Sequence, residues 1–145
     1  MTTVVGALQA ALAVSHEMVY GYGLAAAHLS GKPYAAALAA LADTQARRDR
    51  LAGLLRERGQ VPAAAAPAYA PPSPVATAAA ATALCVLLEH AAEGAAWDLV
   101  AASASGDELR ALGVRWLGVA AARAAQWAGK AAAAREPALP GQPPT

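Results

Sequence analysis

The residues richest in chemistry in this chain are His16, Glu89, His90 and Glu93, whose imidazoles and carboxylates are donors that transition metals accept. Glu89 and Glu93 stand four positions apart and share a helix face. His90 projects about 100° from Glu89 on a helical wheel, so the set converges poorly and makes a weak metal candidate. No Ser/His/Asp grouping or Cys/His cluster is visible. Cys85 is the lone cysteine; it sits in an Ala/Leu/Val run with no base near it in sequence, and reads as an inert buried thiol. Gly21-Tyr22-Gly23 falls inside a helical pattern and follows no strand, so it is no phosphate loop. Tyr20, Tyr22, Trp116 and Trp127 read as packing residues. No motif calls for a cofactor.

Helices must carry these side chains. Hydrophobic residues make up 57% of the 145-residue chain, and alanine, the best helix former, dominates them. Phe is absent and β-branched residues are few, which argues against a sheet. Helix 1 is expected from about Thr3 to Leu29, capped by Thr2 or Thr3 and ended by Ser30-Gly31. Its stripe is Val5, Leu8, Leu12, Val19, Gly23 and Ala26. Helix 2 is expected from Pro33 to Gly59, with the stripe Tyr34, Ala37, Leu41, Gln45, Arg48, Ala52 and Leu55. Helix 3 is expected to start after Ser73, with Pro74 in its first turn, and to end near Ser103. Its inner stripe is Thr77, Ala81, Leu84, Leu88, Ala91, Ala95 and Leu99. Helix 4 follows Ser105-Gly106, with Ser105 as cap and Glu108 in a capping box. Its stripe is Leu109, Leu112, Trp116, Ala120, Trp127 and Ala131.

Loop lengths then predict topology. Short connections make helices 1 and 2, and helices 3 and 4, antiparallel hairpins. Residues 60–73 contain Pro62, Pro67, Pro71 and Pro72, which favour polyproline II. About 13 such residues reach ~40 Å, the length of a ~26-residue helix. The linker is therefore expected to run the length of the molecule and leave helices 2 and 3 parallel. One long crossover is the ferritin-like connection. The fold expected is all-α, a four-helix bundle over residues 1–135, followed by a flexible Pro-rich tail over 136–145.

Three segments are specific enough to suggest a family: Ser15-His16-Glu17-Met18-Val19-Tyr20-Gly21-Tyr22-Gly23, Arg47-Arg48-Asp49-x-Leu51, and Pro67-x-Tyr69-x-x-Pro72 with Leu88-Glu89 further on. Together they resemble the actinobacterial ferritin-like domain family of unknown function, over nearly the whole chain. The resemblance implies a ferritin-like bundle and no established activity.

A di-iron bundle takes Glu from two helices and Glu-x-x-His from the other two. Here helix 1 offers Ser15 at mid-height and helix 2 offers Gln45-x-x-Arg48, whose guanidinium stays protonated and ligates no metal. Glu89 lies about 140° from Leu84 on the wheel and reaches the core only if helix 3 is rotated from that stripe. Helix 4 has no Glu, Asp or His at mid-height. The metal site reads as degenerate. Arg48 is expected in its place, buried or half-buried and paired with Asp98 or Glu89; the alternative is that it snorkels to water.

Val86, Trp97 and Val100 form an outward apolar set on helix 3, matched on helix 1 by Ala10, Ala13, Gly21 and Leu24. Such faces suggest a homodimer or a protein partner. The net charge of +1, without a broad basic face, argues against nucleic acid. Val75–Leu88 is too short for a membrane span, and the start lacks a basic leader, so a soluble cytoplasmic protein is expected. The leading reading is a non-catalytic helical protein acting by self-association or protein binding. The alternative is a ferritin-like metal-dependent oxidase or hydroxylase with a reduced metal site; a binder of small apolar ligands ranks last.

Overall fold

The computed structural model describes residues 2–135. Four helices account for most of them: α1 (Val4–Ala26), α2 (Gly31–Glu57), α3 (Ala78–Ala102) and α4 (Glu108–Arg135), with no strand among the described residues. The proline-rich tail expected over 136–145 lies outside the described residues. No helix among the described residues is long and apolar enough to cross a membrane.

Local chemistry sets the helix ends. Thr3 Oγ1 accepts from the Gly6 amide at 3.0 Å and caps α1. The α2 end closes as a Schellman turn: the Gly59 amide donates to Arg56 O and the Gln60 amide to Leu55 O, both at 2.9 Å. Gly59 takes φ +69° there, a value that only glycine adopts freely. Four termini differ from expectation: helix α1 ends at Ala26, with Ala27 as its C-cap, rather than near Leu29. Helix α2 begins at Gly31 after Ser30, two residues before Pro33. Helix α3 begins at Ala78, because Thr77 accepts from the Ala80 amide at 3.1 Å; Ser73 and Pro74 remain in the linker. At α4, Asp107 Oδ1 accepts from the Leu109 amide at 2.9 Å and takes the capping role expected of Ser105.

Helix α1 packs on α2 and α3, and α3 packs on α4. Two apolar clusters fill the interior. One gathers Ala7, Leu8, Leu12, Leu51, Leu55, Leu99 and Leu109. The other gathers Met18, Tyr22, Ala25, Ala37, Ala40, Ala81, Leu84, Cys85, Ala120 and Trp127. Small residues bring the helices close. A Cβ on Gly21 would lie 2.8 Å from Leu88 Cδ1, and one on Gly113 would lie 2.9 Å from Val100 Cγ2. Both contacts correct the expected outer faces. Gly21 is buried against α3, and Val100 is buried against α4. Val86 is half-buried and packed on the core, so of the helix 3 set Trp97 alone stays well exposed, at 61%.

The linker lies along α1. The Gln9 side-chain amide donates to Val61 O at 2.8 Å and accepts from the Ala63 amide at 2.9 Å. His16 Nε2 donates to Ala63 O at 2.9 Å. Further along, Tyr69 meets Tyr20 edge-on, with ring centres 5.8 Å apart, and Pro71 and Pro72 sit beside Leu24. A proline-rich segment with few internal hydrogen bonds is held in this way by side chains of its neighbouring helix.

Candidate functional site

Among the described residues, Thr82 and Ser103 are buried with their hydroxyls bonded back to Ala78 O and Leu99 O, and the other buried polar side chains lie around Glu89, with each helix contributing to the walls. Helix α1 brings Ser15 and Tyr22, α2 brings Thr44 and Arg47, α3 brings Cys85 and Glu89, and α4 brings Trp127. Ser15 and Thr44 bond back to the carbonyls of Ala11 and Ala40, at 2.9 and 2.7 Å, so their hydroxyls are satisfied within their own helices.

Glu89 is the centre of the group and is fully buried. Its Oε1 accepts from the Tyr22 hydroxyl at 2.5 Å, and the Tyr22 oxygen accepts from Trp127 Nε1 at 3.2 Å. Oε2 of Glu89 has no hydrogen-bond partner. Burial holds the Glu89 carboxyl above the usual carboxylate range, although Tyr22, Arg123 and Arg47 oppose the shift. Burial also raises the Tyr22 hydroxyl, helped by the neighbouring Glu89 charge. The Cys85 thiol is pushed up to about 12 by burial first and Glu89 second, in keeping with an inert thiol.

Arg47 is the second unusual residue. It is 9% exposed, its guanidinium lies over the Trp116 ring at 5.5 Å, and its Nε makes no hydrogen bond. Burial lowers its pKa, while Glu89 favours its charge from the core side. Nearby, Arg123 pairs with Asp43 between α4 and α2.

These positions revise the expected site. Arg48 is half-exposed and bonds its neighbour Asp49 at 3.0 Å on the outside of α2. Asp98 is exposed and makes no pair with it. The inward guanidinium is that of Arg47: Ala37 and Leu55 are buried as expected, but between them the inner face of α2 passes through Ala40, Thr44, Arg47, Leu51 and Leu54 rather than Leu41, Gln45, Arg48 and Ala52. Leu51 and Leu54 were the available signal, since they form a stronger stripe with Arg47 than Ala52 and Leu55 form with Arg48. Helix α3 is turned too, which carries Glu89 and Cys85 into the core. The four metal candidates stay apart. His16 holds the linker, and His90 Nδ1 meets Glu93 Oε1 at 3.1 Å on the surface, away from inward Glu89. Among the described residues, no three His, Cys, Asp or Glu side chains form a group able to hold a metal ion.

Comparison with known proteins gives a consistent relationship. A solved structure titled as a conserved hypothetical protein, rv2844, from Mycobacterium tuberculosis is similar, with 31% identity and a TM-score of 0.81. The match covers 86% of this chain and 93% of that one. No curated protein matches. A family model described as a domain of unknown function, DUF4439, matches residues 7–144. The chain belongs to that domain family of unknown function.

Proposed function

We propose that this chain is a non-catalytic, ferritin-like four-helix bundle whose metal site has degenerated and which acts through contacts with a second copy of itself or another protein. The ferritin-like topology requires α2 and α3 to be parallel across one long crossover. Its support is the run of linker contacts from Gln9 to Leu24 along α1, and the pairing of helix ends within the two core clusters. The observation that carries the functional reading is the content of the interior at mid-height. Where a di-iron bundle needs Glu and Glu-x-x-His, α1 has Ser15, α2 has Thr44-x-x-Arg47 and α4 has Ala120. Glu89 is the single inward carboxylate among the described residues, and the Arg47 guanidinium repels a cation. The donor set therefore does not fit a di-iron centre.

Protein purified without chelator is expected to hold well under one iron or manganese per chain. Metal bound at one or more per chain, and lost in Glu89→Ala, would overturn this reading and favour the metal-dependent oxidase or hydroxylase instead. That second reading draws on Glu89 alone, whose Oε2 is buried without a partner.

The contact surface is centred on Trp97, with half-exposed Leu87 also on α3. Large exposed aromatics are enriched at binding hot spots. Sedimentation of the wild type at tens of micromolar is expected to show a dimer that Trp97→Glu converts to monomer. A wild-type monomer would remove self-association and leave a different protein as the partner.

A further inference from the structure

Helices α2 and α4 are neighbours that pack loosely, and a cleft of about 430 Å³ opens between them. Arg47, Arg50, Arg115 and Asp43 line it, with Trp116 and Val119 as its apolar wall. The one carboxylate there, Asp43, is already engaged by Arg123. Arg50 comes only within 3.9 Å of Glu57, and Arg115 makes no ion pair or hydrogen bond among the described residues. Among the described residues, the cleft thus sets three guanidinium groups against one carboxylate, Asp43, which Arg123 engages.

Arg47 distinguishes this cleft from an ordinary solvated basic face. Arg47 is only 9% exposed, its Nε is shielded and unpartnered, and its guanidinium lies over the Trp116 ring at 5.5 Å. A buried charge without hydrogen bonds is expensive unless an anion meets it. Glu89 lies on the core side and does not bond to it. The open side is the cleft. A guanidinium carries its donors in a planar fork that matches a carboxylate or phosphate. Arg50 and Arg115 also line an adjoining hollow, which they share with Arg58, Glu57, Asp107 and Glu108, so Arg47 is the cleft's own cation.

We propose that the α2–α4 cleft binds a small organic oxyanion, its carboxylate or phosphate head held by Arg47, Arg50 and Arg115 and its apolar body laid against Trp116 and Val119. This goes beyond the proposed protein-contact role and does not depend on it.

Calorimetric titration with phenylphosphate, phenylacetate and the neutral analogue benzyl alcohol tests the site. Saturable one-to-one binding of at least one of the two anions is expected, weakened by added salt, with none for benzyl alcohol. The tighter of the two anions identifies the head group. Arg47→Met and Arg115→Ala are each expected to weaken binding at least about tenfold, the loss of one charge-assisted contact. Arg115 is exposed, so its variant tests the site even if Arg47→Met alters folding. Failure of both anions to saturate, equal binding of benzyl alcohol, or wild-type affinity in Arg115→Ala would each overturn the proposal.

Discussion

Tyr22→Ala is expected to remove most of the folding stability of this protein. Tyr22 heads the largest fully buried side chains, and its ring packs on Trp127 with centres 6.3 Å apart. Truncating a buried aromatic to Ala costs about 3–5 kcal/mol in lost burial and cavity formation. The hydroxyl adds to this, since it is the hydrogen-bond donor to Glu89. Leaving that buried carboxyl without its partner costs about 1–3 kcal/mol more. A domain of this size has about 5–15 kcal/mol in total. Tyr22→Phe separates the two parts, because it keeps the ring and removes only the donor. Urea unfolding should show the midpoint falling modestly in Tyr22→Phe and far more in Tyr22→Ala, with slopes unchanged. A Tyr22→Phe variant as stable as the wild type would mean that the Tyr22–Glu89 bond contributes nothing net.

The second large effect is a dependence of stability on pH that Glu89→Gln abolishes. Glu89 faces Tyr22 from α1, Arg47 from α2 and Arg123 from α4, with Glu93 on its own helix. Desolvation outweighs the groups that favour its charge, so the folded-state pKa is raised. Above the unfolded pKa and below the raised one, the folded chain holds a proton that the unfolded chain has released. The stability contributed by the protonated carboxyl is fully present below the unfolded pKa and is lost as pH rises through the folded one. The slope in that window is at most about 1.4 kcal/mol per pH unit. Gln keeps an acceptor for the Tyr22 hydroxyl and carries no charge. Unfolding curves from about pH 4 to about pH 8, spanning the ordinary carboxylate value upward, should find the two proteins similar at the acid end and the variant more stable at the alkaline end. The reverse order at the alkaline end would show that Glu89 is ionised in the fold and held by Arg47 and Arg123.

Helix identity was legible in the sequence because it is local. Alanine content, Thr3 at the start of α1, Gly31 and Gly59 at the breaks and the prolines of the linker each act within a few residues. Ser15 at an inward position of α1 was legible too, because the α1 stripe through Leu8 and Leu12 is unambiguous. The rotation of α2 and α3 about their axes was not. Alanines stand on every side of both helices, so a stripe through Gln45 and Arg48 differs little in hydrophobicity from one through Thr44 and Arg47. One residue of slip turns a helix by about 100°. A fraction of that turn, which leaves Ala37, Leu55, Leu84 and Leu99 buried, exchanges half-exposed Arg48 for buried Arg47 and brings Glu89 under the Tyr22 hydroxyl. Trp116, Tyr22, Val100 and the close approaches at Gly21 and Gly113 decide it, and all of these are contacts between one helix and another. The sequence by itself therefore determined which segments are helical and how few metal donors they carry. Tertiary packing alone decided which charges those helices bury.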